Sequence, residues 1–185
     1  MNDRQIQNQC PDLPATAFVA LGSNLGDRAG HIRAGLRGLA ALPGTRFVVA
    51  SGLIETDPVG SAPQGRYLNA AAQIRTRLSP ADLLEQLLGI ERGRGRIRGR
   101  RWGPRTLDLD LLVYDALVID APGLVLPHPG LHERAFVLEP LAQIAPDLIV
   151  PGIEQSVRNL LDGVSRACLH PASPSRQALT PGEAT

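Results

Sequence analysis

From Tyr67 to Leu78 the chain alternates without a break. Leu68, Ala70, Ala72, Ile74, Thr76 and Leu78 fall on one face, and Tyr67, Asn69, Ala71, Gln73, Arg75 and Arg77 on the other. Successive strand residues point to opposite sides, so this run predicts a sheet with one face on a core and the other largely open. Ser79-Pro80-Ala81-Asp82 follows at once. It reads as a helix start, with Ser79 as the cap, Pro80 in the first turn and Asp82 reaching back. Leu83, Leu84, Leu87, Leu88 and Ile90 supply the buried stripe of that helix, which should end near Arg92.

The flanking segments complete an ordered pattern. Ala17 to Leu21 is a short apolar run ended by Gly22, predicting a buried strand. Gly22-Ser23-Asn24-Leu25-Gly26 is turn chemistry, and Asp27 can cap a helix in which Ile32, Leu36 and Leu39 recur at helical spacing. Gly30, Gly35 and Gly38 weaken that helix, so tertiary packing must hold it. Phe47 to Ile54 predicts a second strand. Thr106 to Tyr114 alternates again, Leu107, Leu109, Leu111 and Val113 opposite Asp108, Asp110, Leu112 and Tyr114. Strand, helix, strand, strand, helix, strand is the split βαβ order of ferredoxin-like α+β folds, a mainly antiparallel sheet whose open face is free for a ligand. A small strand pair, a Pro/His loop and helices around Arg134–Gln143 and Ser156–Val164 are expected after it. Residues 1–15 and 170–185 have the composition of loose tails, which leaves one domain over 16–169.

The chain has 185 residues, 43% hydrophobic and 20% charged, ordinary for a globular protein. No apolar run approaches the ~18–20 residues of a membrane span, and the polar N-terminus lacks a secretory core. Cys10 and Cys168 stand alone near opposite ends, fitting neither a disulfide framework nor a zinc site. A reducing cytoplasm is the expected location.

The net charge of +1 conceals a local excess. All 19 basic residues are arginine, and seven of them fall between Arg92 and Arg105 with no acid among them. The missing lysine excludes a Walker A loop. Clustered like charges either stay solvated or meet an anion. Gly93, Gly95, Gly99 and Gly103 interleave with the arginines, so the segment combines mobility with bidentate phosphate donors. The anion is then nucleic acid or a nucleoside triphosphate. Trp102 is the lone aromatic in the block, which argues against a stacking platform for several bases.

Asp108 and Asp110, two apart on a strand, point to one face about 6–7 Å apart, close enough to share hard cations. An isolated pair of this kind is more often solvated than functional. Directly after an arginine block it suggests a magnesium–polyphosphate site, since magnesium favours a few carboxylates plus substrate phosphates. His128 is held between Pro127 and Pro129. No nucleophile–histidine–acid arrangement is evident.

Together these pieces resemble the 6-hydroxymethyl-7,8-dihydropterin pyrophosphokinase family of folate biosynthesis. The resemblance runs from Ala17 to about Pro151. It is carried by Ala20-Leu21-Gly22-Ser23-Asn24-Leu25-Gly26-Asp27, by Glu55-Thr56-Asp57-Pro58-Val59-Gly60 and by Tyr67-Leu68-Asn69-Ala70-Ala71. Arg101-Trp102-Gly103-Pro104-Arg105-Thr106-Leu107-Asp108-Leu109-Asp110 follows, and then Leu126-Pro127-His128-Pro129 and Glu133-Arg134-Ala135-Phe136-Val137-Leu138.

It implies a three-layer α/β/α elaboration of the ferredoxin-like core. It also implies an enzyme that moves diphosphate from ATP to the pterin hydroxymethyl group and releases AMP. By the same resemblance Asp108 and Asp110 are ligands for two Mg2+ ions, and Arg96, Arg105 and His128 hold the triphosphate. Arg98 and Trp102 belong to the mobile loop on the ATP side, and Glu91 and Arg134 match further nucleotide-site positions. Thr56, Val59, Tyr67, Asn69 and Phe136 form the pterin pocket, and Arg96, Arg105, Asp108 and Asp110 are the catalytic set. Gly130 departs from the pattern, standing where arginine is common, which predicts one nucleotide contact fewer. The expected partners are the two small-molecule substrates, without nucleic acid or membrane, and the expected assembly is a monomer.

Two other readings compete. A ferredoxin-like RNA-binding module would use the arginine block, but gives no reason for Asp108 and Asp110 on the same face and lacks a basic–aromatic signature. A metal-dependent nuclease would use the carboxylate pair.

Overall fold

The computed structural model describes residues 14–58, 64–95 and 105–169, with side chains to 164. The elements follow the predicted order: β1 (Ala15–Ser23), α1 (Arg28–Ala40), β2 (Thr45–Ala50), β3 (Ile54–Thr56), β4 (Tyr67–Thr76), α2 (Pro80–Gly93) and β5 (Asp108–Tyr114). The strands are antiparallel in the order β2-β4-β1-β5, with β3 also on β4. This is the ferredoxin-like arrangement. The chain continues through a hairpin, β6 (Ile119–Ala121) and β7 (Leu124–Leu126), a 3-10 turn (Leu131–Glu133) and α3 (Ala135–Ile144). A two-residue strand pair, β8 (Ile149–Val150) and β9 (Gln155–Ser156), leads into α4 (Val157–Leu169). No helix among the described residues is long and apolar enough to cross a membrane.

The caps behave as the sequence implies. Asp27 accepts the Gly30 N–H at 2.8 Å, and Ser79 Oγ accepts the Asp82 N–H at 3.2 Å. The α1 glycines serve close packing. A β-carbon at Gly35 would lie 3.1 Å from a Leu21 methyl and 3.2 Å from one of Leu107, and one at Gly38 would lie 3.0 Å from Ile90 of α2. The helix gives up propensity so that it can sit low on the sheet.

Both sheet faces carry a core, which corrects the expectation of a largely open second face. Under α1 and α2, Ile32, Leu39, Leu83 and Leu87 pack on Val19, Leu21, Ala70, Ile74 and Leu109. On the opposite face Val137, Leu138 and Leu141 of α3, with Val157 and Leu160 of α4, cover Phe18, Ala71 and Leu112. Ala71 is fully buried, although its own strand reads as solvent-facing there. The cause lies far downstream, in the helices Ala135–Ile144 and Val157–Leu169 that return over the sheet.

Three local expectations also change. The strand expected over 47–54 divides into β2 and β3 at Ser51, whose N–H still donates to Ala71 O at 2.9 Å while its hydroxyl, in place of its carbonyl, accepts the Ala71 N–H at 2.9 Å. Gly52 N–H then donates to Gln143 Oε1 of α3 at 2.9 Å. β4 stops at Thr76, whose hydroxyl accepts the Leu78 N–H at 3.1 Å and turns the chain. In β5 the register with β1 shifts between Phe18 and Val19, where Leu111 and Val113 are paired and Leu112 is the extra residue. A bulge inserts one residue and reverses the alternation beyond it. Val113 therefore joins Leu112 in the second core, and Tyr114 crosses to the first, its hydroxyl donating to Leu78 O at 2.6 Å.

Candidate active site

α3 and α4 cover only part of the second face. The uncovered end has a floor set by strand register. Gly22 on β1 pairs with Asn69 of β4 on one side and Asp108 of β5 on the other. Two residues along, Ala20 lies between Ala71 and Asp110. Residues directly opposite in neighbouring strands share a face. An amide and two carboxylates thus flank a strip whose middle side chains are a hydrogen and a methyl. A β-carbon at Gly22 would come within 3.4 Å of Asn69 Oδ1. Above this floor is a cavity of about 750 Å³, with walls that include Thr56, Tyr67, Arg105, His128, Arg134 and Phe136.

Asn69 is 6% exposed, and its Nδ2 donates to Thr56 Oγ1 at 2.8 Å, which fixes the amide. Tyr67 OH donates to Gln64 Oε1 at 3.4 Å, and Asn24 Nδ2 donates to the same oxygen at 3.1 Å. Burial holds the Tyr67 phenol above its ordinary pKa. Asn24 also accepts the Arg105 N–H through Oδ1 at 2.7 Å, while its own N–H donates to Arg105 O at 3.1 Å. That pair of bonds anchors the chain where it leaves the arginine-rich segment. The Arg105 guanidinium then pairs with the Asp108 carboxylate. Burial opposes the Arg105 charge, but Asp108 and Asp110 outweigh it and raise its pKa.

His128 hangs on a backbone bond from its N–H to Leu112 O at 2.8 Å. Its Nδ1 accepts the Gly130 N–H at 3.1 Å, so the neutral ring carries its proton on Nε2. Burial lowers the His128 pKa, Asp110 opposes that, and Arg134 adds to it. Asp110 moves the other way, raised by burial first and by Asp108 next. Beyond His128 the chain turns into α3, placing the Arg134 guanidinium 5.9 Å from the centre of the Phe136 ring.

The donor set suits magnesium. Two carboxylates share one face, and the half-buried Asp110 resists its own charge beside Asp108. A divalent cation would relieve that excess. Among the described residues no group of three or more His, Cys, Asp or Glu forms a complete protein cage. Two carboxylates completed by substrate phosphates and water is the arrangement magnesium prefers.

Nine of the expected site residues therefore meet in one cavity: Thr56, Tyr67, Asn69, Arg105, Asp108, Asp110, His128, Arg134 and Phe136. Glu91 stands apart from them. It is 2% exposed, on α2, and its Oε1 accepts the Leu109 N–H at 2.7 Å, between the two aspartates. Val59, Arg96, Arg98 and Trp102 lie outside the described residues. Sequence reasoning missed Gly22, Asn24 and Gln64. The first two sit in a stretch that reads as a turn, whereas β1 runs on to Ser23. Continuing the β1 alternation through Gly22 would have placed it on the face of Ala20.

Fold and cavity define a ferredoxin-like α+β domain with an acid-paired cleft on one sheet face. The family model for 7,8-dihydro-6-hydroxymethylpterin-pyrophosphokinase (HPPK) matches residues 18–146, and the chain belongs to that family. It is 48% identical over 145 residues to the 2-amino-4-hydroxy-6-hydroxymethyldihydropteridine pyrophosphokinase of Methylorubrum extorquens, covering 78% of this chain and 90% of that one. To the protein of the same name in Pseudomonas aeruginosa it is 49% identical over 134 residues, covering 72% and 83%. Among solved structures, wild-type Plasmodium falciparum HPPK-DHPS with pterin and p-hydroxybenzoate superposes with a TM-score of 0.69 at 15% identity. The match covers 90% of this chain but 46% of that one, so the chain spans less than half of the solved protein and shares its fold over that part.

Proposed function

We propose a division of labour among the cavity residues for the reaction of this family. The chain is an ATP-dependent pyrophosphokinase of folate synthesis that transfers diphosphate to the hydroxymethyl oxygen of 6-hydroxymethyl-7,8-dihydropterin. That oxygen gives up its proton to solvent and bonds to the β-phosphorus of ATP, the bond from the β-phosphorus to the bridging α,β-oxygen breaks, and AMP leaves with that oxygen. Such transfers depend on positioning and electrostatics more than on covalent help from the protein.

Asp108 and Asp110 would hold Mg2+, two ions on this reading, supplying positive charge to the phosphates as the bond to AMP breaks. Arg105 stays charged at the carboxylate end and binds phosphate oxygens. His128 acts as a neutral donor through Nε2, since burial disfavours its cation. Arg134 brings a second guanidinium. Asn69 spends its Nδ2 on Thr56, which leaves Oδ1 to accept from the pterin edge. Tyr67 and Phe136 wall the flat ring. Glu91 acts through Leu109, holding β5 in place between the metal carboxylates. The roles of Val59 at the pterin and of Arg96, Arg98 and Trp102 over the triphosphate rest on the family resemblance of those segments.

The observation that carries this reading is the row Asn69–Gly22–Asp108. An amide suited to a pterin edge and a carboxylate suited to a cation stand on either side of a residue with no side chain, which supports the reading. A nucleic-acid module needs no carboxylate there. The test is AMP formation from Mg–ATP with and without 6-hydroxymethyl-7,8-dihydropterin. Strictly pterin-dependent AMP is expected, whereas AMP or ADP at the same rate without pterin would overturn the assignment.

A further inference from the structure

Gly130 has ordinary backbone angles, φ −92° and ψ 9°, which alanine adopts without strain. Its lack of a side chain has another use. A β-carbon there would lie 2.6 Å from Arg134 Nε, 2.7 Å from Cζ and 3.0 Å from Nη2. The guanidinium occupies the very space a side chain at position 130 would take. From that seat it lies 5.9 Å from the centre of the Phe136 ring, within the ~6 Å reach of a cation–π contact. Its charge is also felt by Asp110 and His128 across the cavity.

We infer that Gly130 is a positioning residue for phosphate binding: its bare α-carbon is the seat that aims the Arg134 guanidinium into the cavity. The inference rests on the reading of the cavity as the substrate site. Three features support it. The backbone at 130 does not require glycine. The Gly130 N–H that serves His128 Nδ1 is retained by any residue but proline. The obstructed atoms belong to the far end of a flexible side chain, which can swing away while the fold stays put. An added methyl therefore evicts the guanidinium and leaves the rest of the wall standing. Arginine at such a site binds phosphate through a fixed fork, so a displaced fork loses both charge and geometry.

The experiment is calorimetric titration of a non-hydrolysable Mg–ATP analogue, and separately of 6-hydroxymethylpterin, into wild type, Gly130→Ala, Arg134→Ala and the double variant. Melting temperatures are recorded alongside. Gly130→Ala should melt close to wild type and bind the ATP analogue at least about tenfold more weakly, as expected for losing a charged hydrogen-bond donor. Its pterin affinity should change by less than about threefold. The double variant should bind no worse than Arg134→Ala alone, because residues acting through one another are not additive. Unchanged nucleotide affinity in Gly130→Ala, additive losses in the double variant, or equal losses for both ligands would overturn the inference. If Gly130→Ala unfolds, Arg134→Lys decides. Lysine lacks the planar fork, so nucleotide affinity should fall, and wild-type affinity would overturn the inference. Wild-type protein that binds neither ligand would instead overturn the reading of the cavity and this inference with it.

Discussion

Asn24 and Arg105 hold each other at two points, the amide Oδ1 taking the arginine N–H at 2.7 Å and the arginine carbonyl taking the asparagine N–H at 3.1 Å. The two are far apart in sequence, one after β1 and one before β5. Their bonds fix where the arginine-rich segment rejoins the sheet, and so where Arg105 and Asp108 begin.

Asn24→Ala therefore leaves the partly buried Arg105 N–H without its acceptor. A loss of about 1–3 kcal/mol in stability is expected, read from the midpoint of urea unfolding. The KM for ATP should rise as well, since the anchor of the arginine proposed to bind phosphate is loosened. A variant as stable as wild type with unchanged KM would remove Asn24 from this role.

Asp110→Asn should lower turnover by about 10²-fold or more while the fold survives. The same variant carries a pH signature in ligand-free protein. The Asp110 pKa is raised, by burial first and Asp108 next, so the folded state holds this proton more tightly than the unfolded state does. Such an acid costs stability above its unfolded pKa, and the cost grows until the pH passes the folded value. The variant should melt above wild type at pH 7, and the gap should close as the pH falls toward an ordinary carboxylate pKa of about 4. Thermal melts across that range without magnesium provide the check.

Asn69→Leu and Phe136→Ala separate the two ends of the cavity. Each should weaken pterin binding by roughly 1–3 kcal/mol, the first by leaving a ligand group unpaired and the second by losing stacking. ATP binding should change much less. Equal losses for the two ligands would place the pterin elsewhere.

Glycine positions give opposite signs in two helices. Nothing lies within 4 Å of a β-carbon at Gly163 in α4, so Gly163→Ala should add up to about 1 kcal/mol through helix propensity alone. At Gly35 the new methyl meets Leu21 and Leu107 at 3.1–3.3 Å, and overpacking of about 1–3 kcal/mol should outweigh the same gain. Denaturant midpoints of the two variants should move in opposite directions.

The pattern of β4 and its capped helix was legible because alternation and capping are local. So were the carboxylate pair on β5 and the arginine block before it. What remained hidden depended on distant chain. Ala71 looks solvent-facing in its own strand and is buried by α3 and α4. Leu112 shifts the β5 register through a bulge against Phe18 and Val19, which no periodicity within β5 reveals. In the site, Asn69 and Asp108 could be placed on exposed faces of their own strands, but that Gly22 lies between them follows from the order in which strands pair. Glu91 carries no local sign of its bond to Leu109, eighteen residues on. The family resemblance supplied its position without its contact.

The second apolar layer stops short. Phe18, Ala71 and Leu112 are roofed by helices, Ala20 is packed only at the margin of that core, and the continuation of the face over Gly22 opens into the cavity. Nucleotide and pterin would complete this half-built core, serving as structural filler as well as reactants. Ligand that binds only the folded chain raises its stability by mass action, about 2.7 kcal/mol at a hundred times Kd. With the substrates bound as proposed, folding and catalysis draw on the same sheet surface. A substitution that makes the empty protein sturdier by filling the floor at Gly22 would do so in the substrate's place, and the enzyme's tolerance for stabilising change should be lowest there.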